Sequence, residues 1–452
     1  MEEPLATKLE EMTRKNKKLF SFLCLGLFAF ALIAYGEEKK ADLYAPVYTK
    51  PLTAQPLKGF FSRAIELPFK LAKWPMDQGI IYTENHRLDK KTIWLYEQTL
   101  KQGVKPLFGF TDLSVYPYFG AELNLLALAR QKEKYPDFFA TTTLLYCPTV
   151  FFAVDSEIGA QRIGGTGFHS KGIVNYDLEQ KEPFYGIGPN TSRGDGTSYR
   201  IETTQVGARA GYEFSPTIDL EAGFDYKKVN ILNRAHDGKG DIRTIFAGQN
   251  IPGLGGDDLL DYSLTLGRDT RDSKDDATKG SYQKFLFQFT DGVNGSSARY
   301  LKYQIDMAKY FRLASPRRVL VTRLFAEHNQ EIDHGDIPFY NLSKMGGAGA
   351  NTRDSETARA FVYNRFYGES VLLLNLEYRY TVMEYKKFKL KTAFFNDLGE
   401  VFGKIHEFRL KDLRESYGIG FYLSYTRNTL LNFSVAHGNE GTRFYVKNKL
   451  AF

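Results

Sequence analysis

The chain has 452 residues, 43% of them hydrophobic, with a mean hydropathy of -0.37, which excludes a bundle of apolar membrane-spanning helices. It carries 36 Phe, 29 Tyr and 40 Gly against 2 Trp and 16 Pro, a balance that suits strands apolar on one face and polar or glycine on the other. The formal net charge of +7 is small for this length, and the bases are spread through alternating segments, so nucleic acid is not an expected partner.

The first element in chain order is an apolar run, Leu19 to Tyr35, preceded by Arg14, Lys15, Lys17 and Lys18 and closed by the small residues Ala34 and Gly36. A basic start, an apolar middle and a small-residue exit predict a secretory signal over residues 1–36. Glu2, Glu3, Glu10 and Glu11 are foreign to such a start and point to Met12 as the initiator. Cleavage would remove Cys24 and leave Cys147 alone, so no intramolecular disulfide is expected. Residues 37–104 are interrupted by Pro51, Pro56, Pro68 and Pro75, and Asp89 to Gln102 places Ile93, Leu95, Tyr96 and Leu100 near one side of an amphipathic helix. This part reads as a short helical or irregular segment.

From residue 105 to 452 the hydrophobic period becomes two. Ile218, Leu220, Ala222, Phe224 and Tyr226 alternate with Asp219, Glu221, Gly223, Asp225 and Lys227. Phe285, Phe287 and Phe289 alternate with Lys284, Leu286 and Gln288, and Tyr417, Ile419, Phe421 and Leu423 with Gly418, Gly420, Tyr422 and Ser424. Sixteen such segments are expected, near 105–112, 120–132, 138–146, 150–161, 167–177, 198–214, 218–229, 258–267, 281–292, 298–312, 316–329, 369–381, 386–398, 413–425, 428–437 and 442–452. Strands of about 9–11 residues with apolar outer faces predict an all-β, sixteen-stranded antiparallel transmembrane barrel. A long glycine-rich loop, about 330–368, falls between the eleventh and twelfth strands.

Four motifs punctuate this pattern. Asp269-Thr270-Arg271-Asp272 is followed eight residues on by Gly280, whose lack of a Cβ suits a tight turn. Gly346-Gly347 precede Arg359-Ala360-Phe361 and Arg365-Phe366 in the long loop, with Arg353 a weaker candidate for the role of Arg359. Asn375-Leu376-Glu377-Tyr378-Arg379 lies on the next strand and Phe395-Asn396-Asp397-Leu398-Gly399 on the one after. Their order and spacing resemble those of the BamA/TamA superfamily of outer-membrane barrels, the bacterial surface antigen family. Ala277 stands where that family has Pro, and Ala360 where it has Gly. Phe184-Tyr185-Gly186-Ile187-Gly188 is similar to a further family segment, and the alternation of Phe444, Val446, Leu450 and Phe452 to the terminal insertion signal of such barrels.

The resemblance implies an outer-membrane location in a diderm bacterium with a periplasmic N-terminus, and a short form without the periplasmic POTRA modules of larger members. It implies assistance to protein or lipid insertion or translocation. Expected partners are outer-membrane lipid or lipopolysaccharide, the barrel assembly machinery during biogenesis, and a protein cargo or partner. A passive diffusion channel and a structural, partner-binding barrel are the alternatives. No enzyme chemistry, metal or cofactor is expected: there is no G-x-S-x-G elbow, His406-Glu407 lacks the second His of a zinc helix, and no His/Cys group has ligand spacing. The resemblance also assigns an ion pair between Arg359 and Asp397 inside the lumen, with Glu377 and Arg379 beside it. Adjacent strands and the length of the loop make that pairing sterically reasonable.

Overall fold

The structure, a computed structural model, describes residues 98–110, 116–129, 134–148, 150–232, 240–313, 315–347, 358–385, 388–425 and 428–447. Contacts divide the chain into two units, Met1–Lys101 and Gln102–Phe452. The expected signal segment, Cys24, and all of the expected helix before residue 98 lie outside the described residues, as do Arg353, Leu450 and Phe452.

Sixteen strands form one antiparallel sheet. They are β1 Val104–Phe110, β2 Pro117–Asn124, β3 Phe138–Cys147, β4 Phe151–Ala160, β5 Phe168–Phe184, β6 Thr197–Ser215, β7 Ile218–Leu232 and β8 Asp257–Asp269. Then follow β9 Gly280–Val293, β10 Arg299–Arg312 and β11 Arg318–Glu331. Within the long loop, β12 Ser343–Met345 and β13 Phe366–Gly368 pair as a separate two-stranded sheet. The large sheet resumes with β14 Ser370–Tyr385, β15 Phe388–Phe402, β16 Arg414–Tyr425, β17 Asn428–Gly438 and β18 Gly441–Lys447. Each strand pairs with the next in sequence, β11 pairing with β14, and the sheet curls into a nearly closed barrel with β1 beside β18.

Side-chain alternation sorts the barrel into two faces. On β9, Phe285 and Phe287 point outward and are 41% and 43% exposed, while Thr290 on the other parity is buried. Phe287 pairs with Tyr303 on β10, and their rings are 5.5 Å apart. Ile419 is likewise exposed on β16, with Tyr422 and Ser424 buried inside. An outward band of this kind is favourable only against hydrocarbon, because water would have to hydrate it. Inward charges meet partners: Arg209 donates two hydrogen bonds to Asp225 at 2.8 and 2.6 Å, Arg323 two to Asp306 at 2.7 and 2.9 Å, and Lys227 lies 2.7 Å from Asp261. Pairing offsets the cost of removing each charge from bulk water.

Two expected strand boundaries are corrected. The segment expected at 120–132 forms β2 over Pro117–Asn124 and then a single helical turn, Leu125–Leu128. Asn124 ends the strand because its Oδ1 accepts the Ala127 N–H at 2.9 Å, an N-cap that competes with the ladder. The segment expected at 167–177 continues to Phe184 through an irregularity between Glu179 and Glu182. This extension carries Phe184 into an aromatic cluster with Phe246, Phe339 and Tyr367, whose ring centroids lie 5.0–5.2 Å from its own. Edge-to-face packing of these buried rings ties the long connections together at one end of the barrel. The opposite end has short turns, down to two residues between β6 and β7.

Candidate functional site in the barrel lumen

The described residues of the connection from β11 to β14 fold into the barrel. Gly346 and Gly347 have φ of +134° and +92°, and a Cβ on Gly346 would stand 2.2 Å from the Val362 carbonyl oxygen. Only glycine allows the chain to double back here. Gly347 then donates to Phe361 O at 3.1 Å and accepts from Ala358 N at 3.1 Å, which brings Ala358 against Gly347 and presents Arg359 to the wall.

Arg359, Glu377 and Asp397 come together there, 1%, 0% and 1% exposed. Arg359 Nε and Nη2 donate to the two oxygens of Asp397 at 2.9 and 2.7 Å, and Nη1 donates to Glu377 Oε2 at 2.6 Å. The Arg359 backbone N–H donates to Asp397 Oδ2 at 3.0 Å. Its guanidinium carbon lies 3.4 Å from the centre of the Phe395 ring. A planar fork satisfied by two carboxylates and stacked on an aromatic face uses geometry that a lysine cannot reproduce. Arg379 Nε donates to Glu377 Oε1 at 2.6 Å, so Glu377 bridges two arginines. Asn375 Nδ2 donates to Asp397 Oδ1 at 2.9 Å.

Neighbouring loop residues add a second set of ties. The Ala360 N–H donates to Ser416 Oγ at 2.7 Å, and Ala360 O accepts from Arg443 Nε at 3.0 Å. Tyr445 OH donates to Phe361 O at 2.9 Å, and the Phe361 and Phe366 rings are 5.2 Å apart. Arg365 stands away from the Arg359 cluster: it donates to Glu440 at 2.8 Å and to Thr191 Oγ1 and O at 2.8 and 2.7 Å. Arg365 therefore ties the loop to the β5–β6 and β17–β18 connections.

The Asp269–Gly280 motif forms the connection between β8 and β9 at the short-turn end. Asp269 receives Arg271 Nε and Nη2 at 2.9 and 2.8 Å. Asp272 accepts from the Thr278 N–H and hydroxyl at 2.8 and 2.7 Å and from the Lys279 N–H at 3.2 Å. Burial alone would raise the Asp272 carboxyl, but these hydrogen bonds hold it below the usual carboxylate range. Gly280 has φ +98°, and a Cβ there would lie 2.1 Å from Thr270 O.

This connection also folds inward, a feature that the motif alone did not disclose. Ala277 is buried with Ala308, Tyr310, Val319 and Val321, and Asp276 forms an ion pair with Lys391 on β15. Replacing the family's Pro with Ala277 gives a small apolar contact in that cluster. The sequence signal was Lys391, a base at an inward position that needed a buried partner. At the last strand, Phe444 points outward and is 65% exposed, with Tyr445 buried on the opposite parity.

Residues 162–440, more than half of the chain, match the model of the Omp85 superfamily domain. A curated relative, the outer membrane protein assembly factor BamA of Nitratidesulfovibrio vulgaris, is 30% identical over 157 residues, 34% of this chain and 20% of that protein. The chain thus aligns with about a fifth of the length of that relative. Among solved structures, BamA from Haemophilus ducreyi lacking POTRA domains 1–3 superposes with a TM-score of 0.55 at 14% identity, covering 76% of this chain and 69% of that one. CdiB from Escherichia coli gives a TM-score of 0.49 at 9% identity, covering 76% of this chain and 62% of that one. The matched residues include the inward loop, both acidic strand motifs and the β8–β9 turn, and the chain is an outer-membrane β-barrel belonging to the Omp85 superfamily, of the BamA/TamA type.

Proposed function

We propose that this barrel assists insertion or translocation of protein, or lipid, at the outer membrane, through an opening between β1 and β18. The carrying observation is the contrast between a latched lumen and a seam where the strand ladder, among the described residues, is not continued. Every other neighbouring pair in the barrel sheet is joined by a ladder, whereas none joins β1 to β18 among the described residues. A seam between first and last strands is the one place in a closed wall where another strand can pair by edge addition. In this reading the long connections face outside, residues 37–104 stand in the periplasm after loss of a signal over 1–36, and the latch keeps the lumen shut while the seam works. The turn at 270–279 is then the periplasmic counterpart of the loop, and Phe444 and Phe452 belong to the signal read by the assembly machinery during biogenesis. A passive channel is disfavoured because the β11–β14 loop and the β8–β9 turn both occupy the interior.

Photo-crosslinking residues placed at Phe108 on β1 and Phe444 on β18 test the proposal in native outer membrane. Trapping of a protein client at both positions, and at neither Phe285 nor Phe287, is expected. Labelling of lipid alone at all four sites, together with a large stable conductance of the purified barrel, would overturn it in favour of a pore.

A further inference from the structure

A cavity of about 690 Å³ opens at the long-connection end, between the β5–β6 connection, the 403–413 segment and the ends of β15, β16 and β17. Alternation places Glu400 on the outer parity of β15, since Asp397 and Gly399 take the inner one, yet Glu400 is only 4% exposed. It lines the cavity with Asp412 and Arg414. Glu400 Oε2 and Arg414 Nε have no hydrogen-bond partner, although Arg414 Nη2 donates to Pro189 O. Beside them stand the Tyr417 and His437 rings, 5.6 Å apart and edge to face, with Tyr417 50% exposed. Neither residue serves the lumen latch.

We propose that this cavity binds a saccharide unit. Glu400, buried at the cavity wall with one carboxylate oxygen unpartnered, offers an acceptor to hydroxyl groups, which donate and accept at one oxygen. An exposed aromatic pair offers a face for the C–H edge of a sugar ring, and the volume falls in the range of small-ligand sites. Lining carboxylates outnumber lining cations, Glu400, Glu407, Asp412 and Glu415 against Lys411 and Arg414, so a neutral or amino sugar fits and a bare phosphate does not. No His, Cys, Asp and Glu grouping suited to a metal is present among the described residues. The outward parity of Glu400 and Tyr417 puts the cavity at the outer rim of the wall. If the long connections face outside, as proposed above, it meets the glycan zone of the membrane.

Calorimetric titration of the full-length barrel in detergent with a glucose trisaccharide and with a glucosamine trisaccharide tests the site without reference to any client protein. Saturable binding of at least one is expected, weakened about tenfold by Glu400→Gln, the effect of one lost hydrogen bond to a buried carboxylate, and weakened also by Tyr417→Ala. Heat-resistant migration on gels checks that both variants remain folded. Competition by lipopolysaccharide vesicles would support a lipid-linked glycan, and competition by delipidated core oligosaccharide alone would support a soluble one. Failure of both trisaccharides to bind, or equal binding by wild type and both folded variants, would overturn the site. Neither result bears on the β1–β18 crosslinks, so the two proposals fail independently.

Discussion

At the scale of single residues, the loop is held by an arginine whose fork is filled on every side. Removing one member of a buried ion pair leaves the other uncompensated and costs about 3–5 kcal/mol where water stays out. Arg359→Ala and Asp397→Ala are each expected to lower stability in denaturant titrations of the vesicle-embedded barrel, and Arg359→Lys to rescue only part of the loss. Because both substitutions break one unit, the double variant should fall short of the sum of the singles by ~1–3 kcal/mol. Strict additivity would mean that the contact carries no coupling. The register of the outer wall is tested one residue at a time as well. Phe287 sits midway along β9 and faces out, so Phe287→Arg should cost about 2–4 kcal/mol if it meets the bilayer centre. Gln288→Arg, on the inner parity, should cost much less, and equal costs would show that β9 does not present Phe287 to lipid.

At the scale of elements, alternation was enough to place most strands because the two faces see such different surroundings. A one-residue slip of β9 would send Phe285 and Phe287 into a charged lumen, so the pattern carries its own register. Alternation placed Glu377 and Arg379 on the inner face for the same reason, whereas the pairing of Arg359 with Asp397 rested on the motif resemblance, because the acids could by charge alone have met Arg379. The reading failed where local chemistry outweighs period. Asn124 turned an expected long strand into a strand and a capped helical turn, and β5 extended to bury Phe184 in an aromatic cluster formed by residues distant in sequence. Nothing near residues 270–279 announces their inward fold either, since Asp276 and Lys391 are 115 positions apart. The Asp272 cap within that turn predicts a pH response. Its folded carboxyl lies below the ordinary value, so its contribution is present above the unfolded pKa of about 3.9 and is lost as pH falls through the folded one. The amides of Thr278 and Lys279 should report an acid midpoint below the ordinary carboxylate value in an NMR titration, and Asp272→Asn should erase that midpoint. A midpoint at or above the ordinary value would show that the hydrogen bonds do not hold the carboxylate.

At the scale of the whole molecule, the interior is occupied from both ends along one side of the wall. The β11–β14 loop reaches Glu377 and Asp397, and Glu377 passes the contact on to Arg379. Below them Lys391 on β15 receives Asp276 from the β8–β9 turn. Two obstructions lying one after the other along a pore act as resistances in series, so opening one leaves the flow limited by the other. Arg359→Ala alone should therefore raise ion conductance in planar bilayers only slightly, and so should Lys391→Met, which removes the partner of Asp276 without adding bulk. Met at position 391 also leaves Asp276 free to turn toward water at the short-turn end, which limits the cost to stability. The combined variant is expected to conduct more than the sum of the two increments, because it relieves both constrictions. This outcome contrasts with the stability cycle at Arg359 and Asp397, where two substitutions at one contact cost less than their sum. A conductance rise in Arg359→Ala that the second substitution fails to increase would show that the loop alone closes the barrel and that the inward turn obstructs nothing.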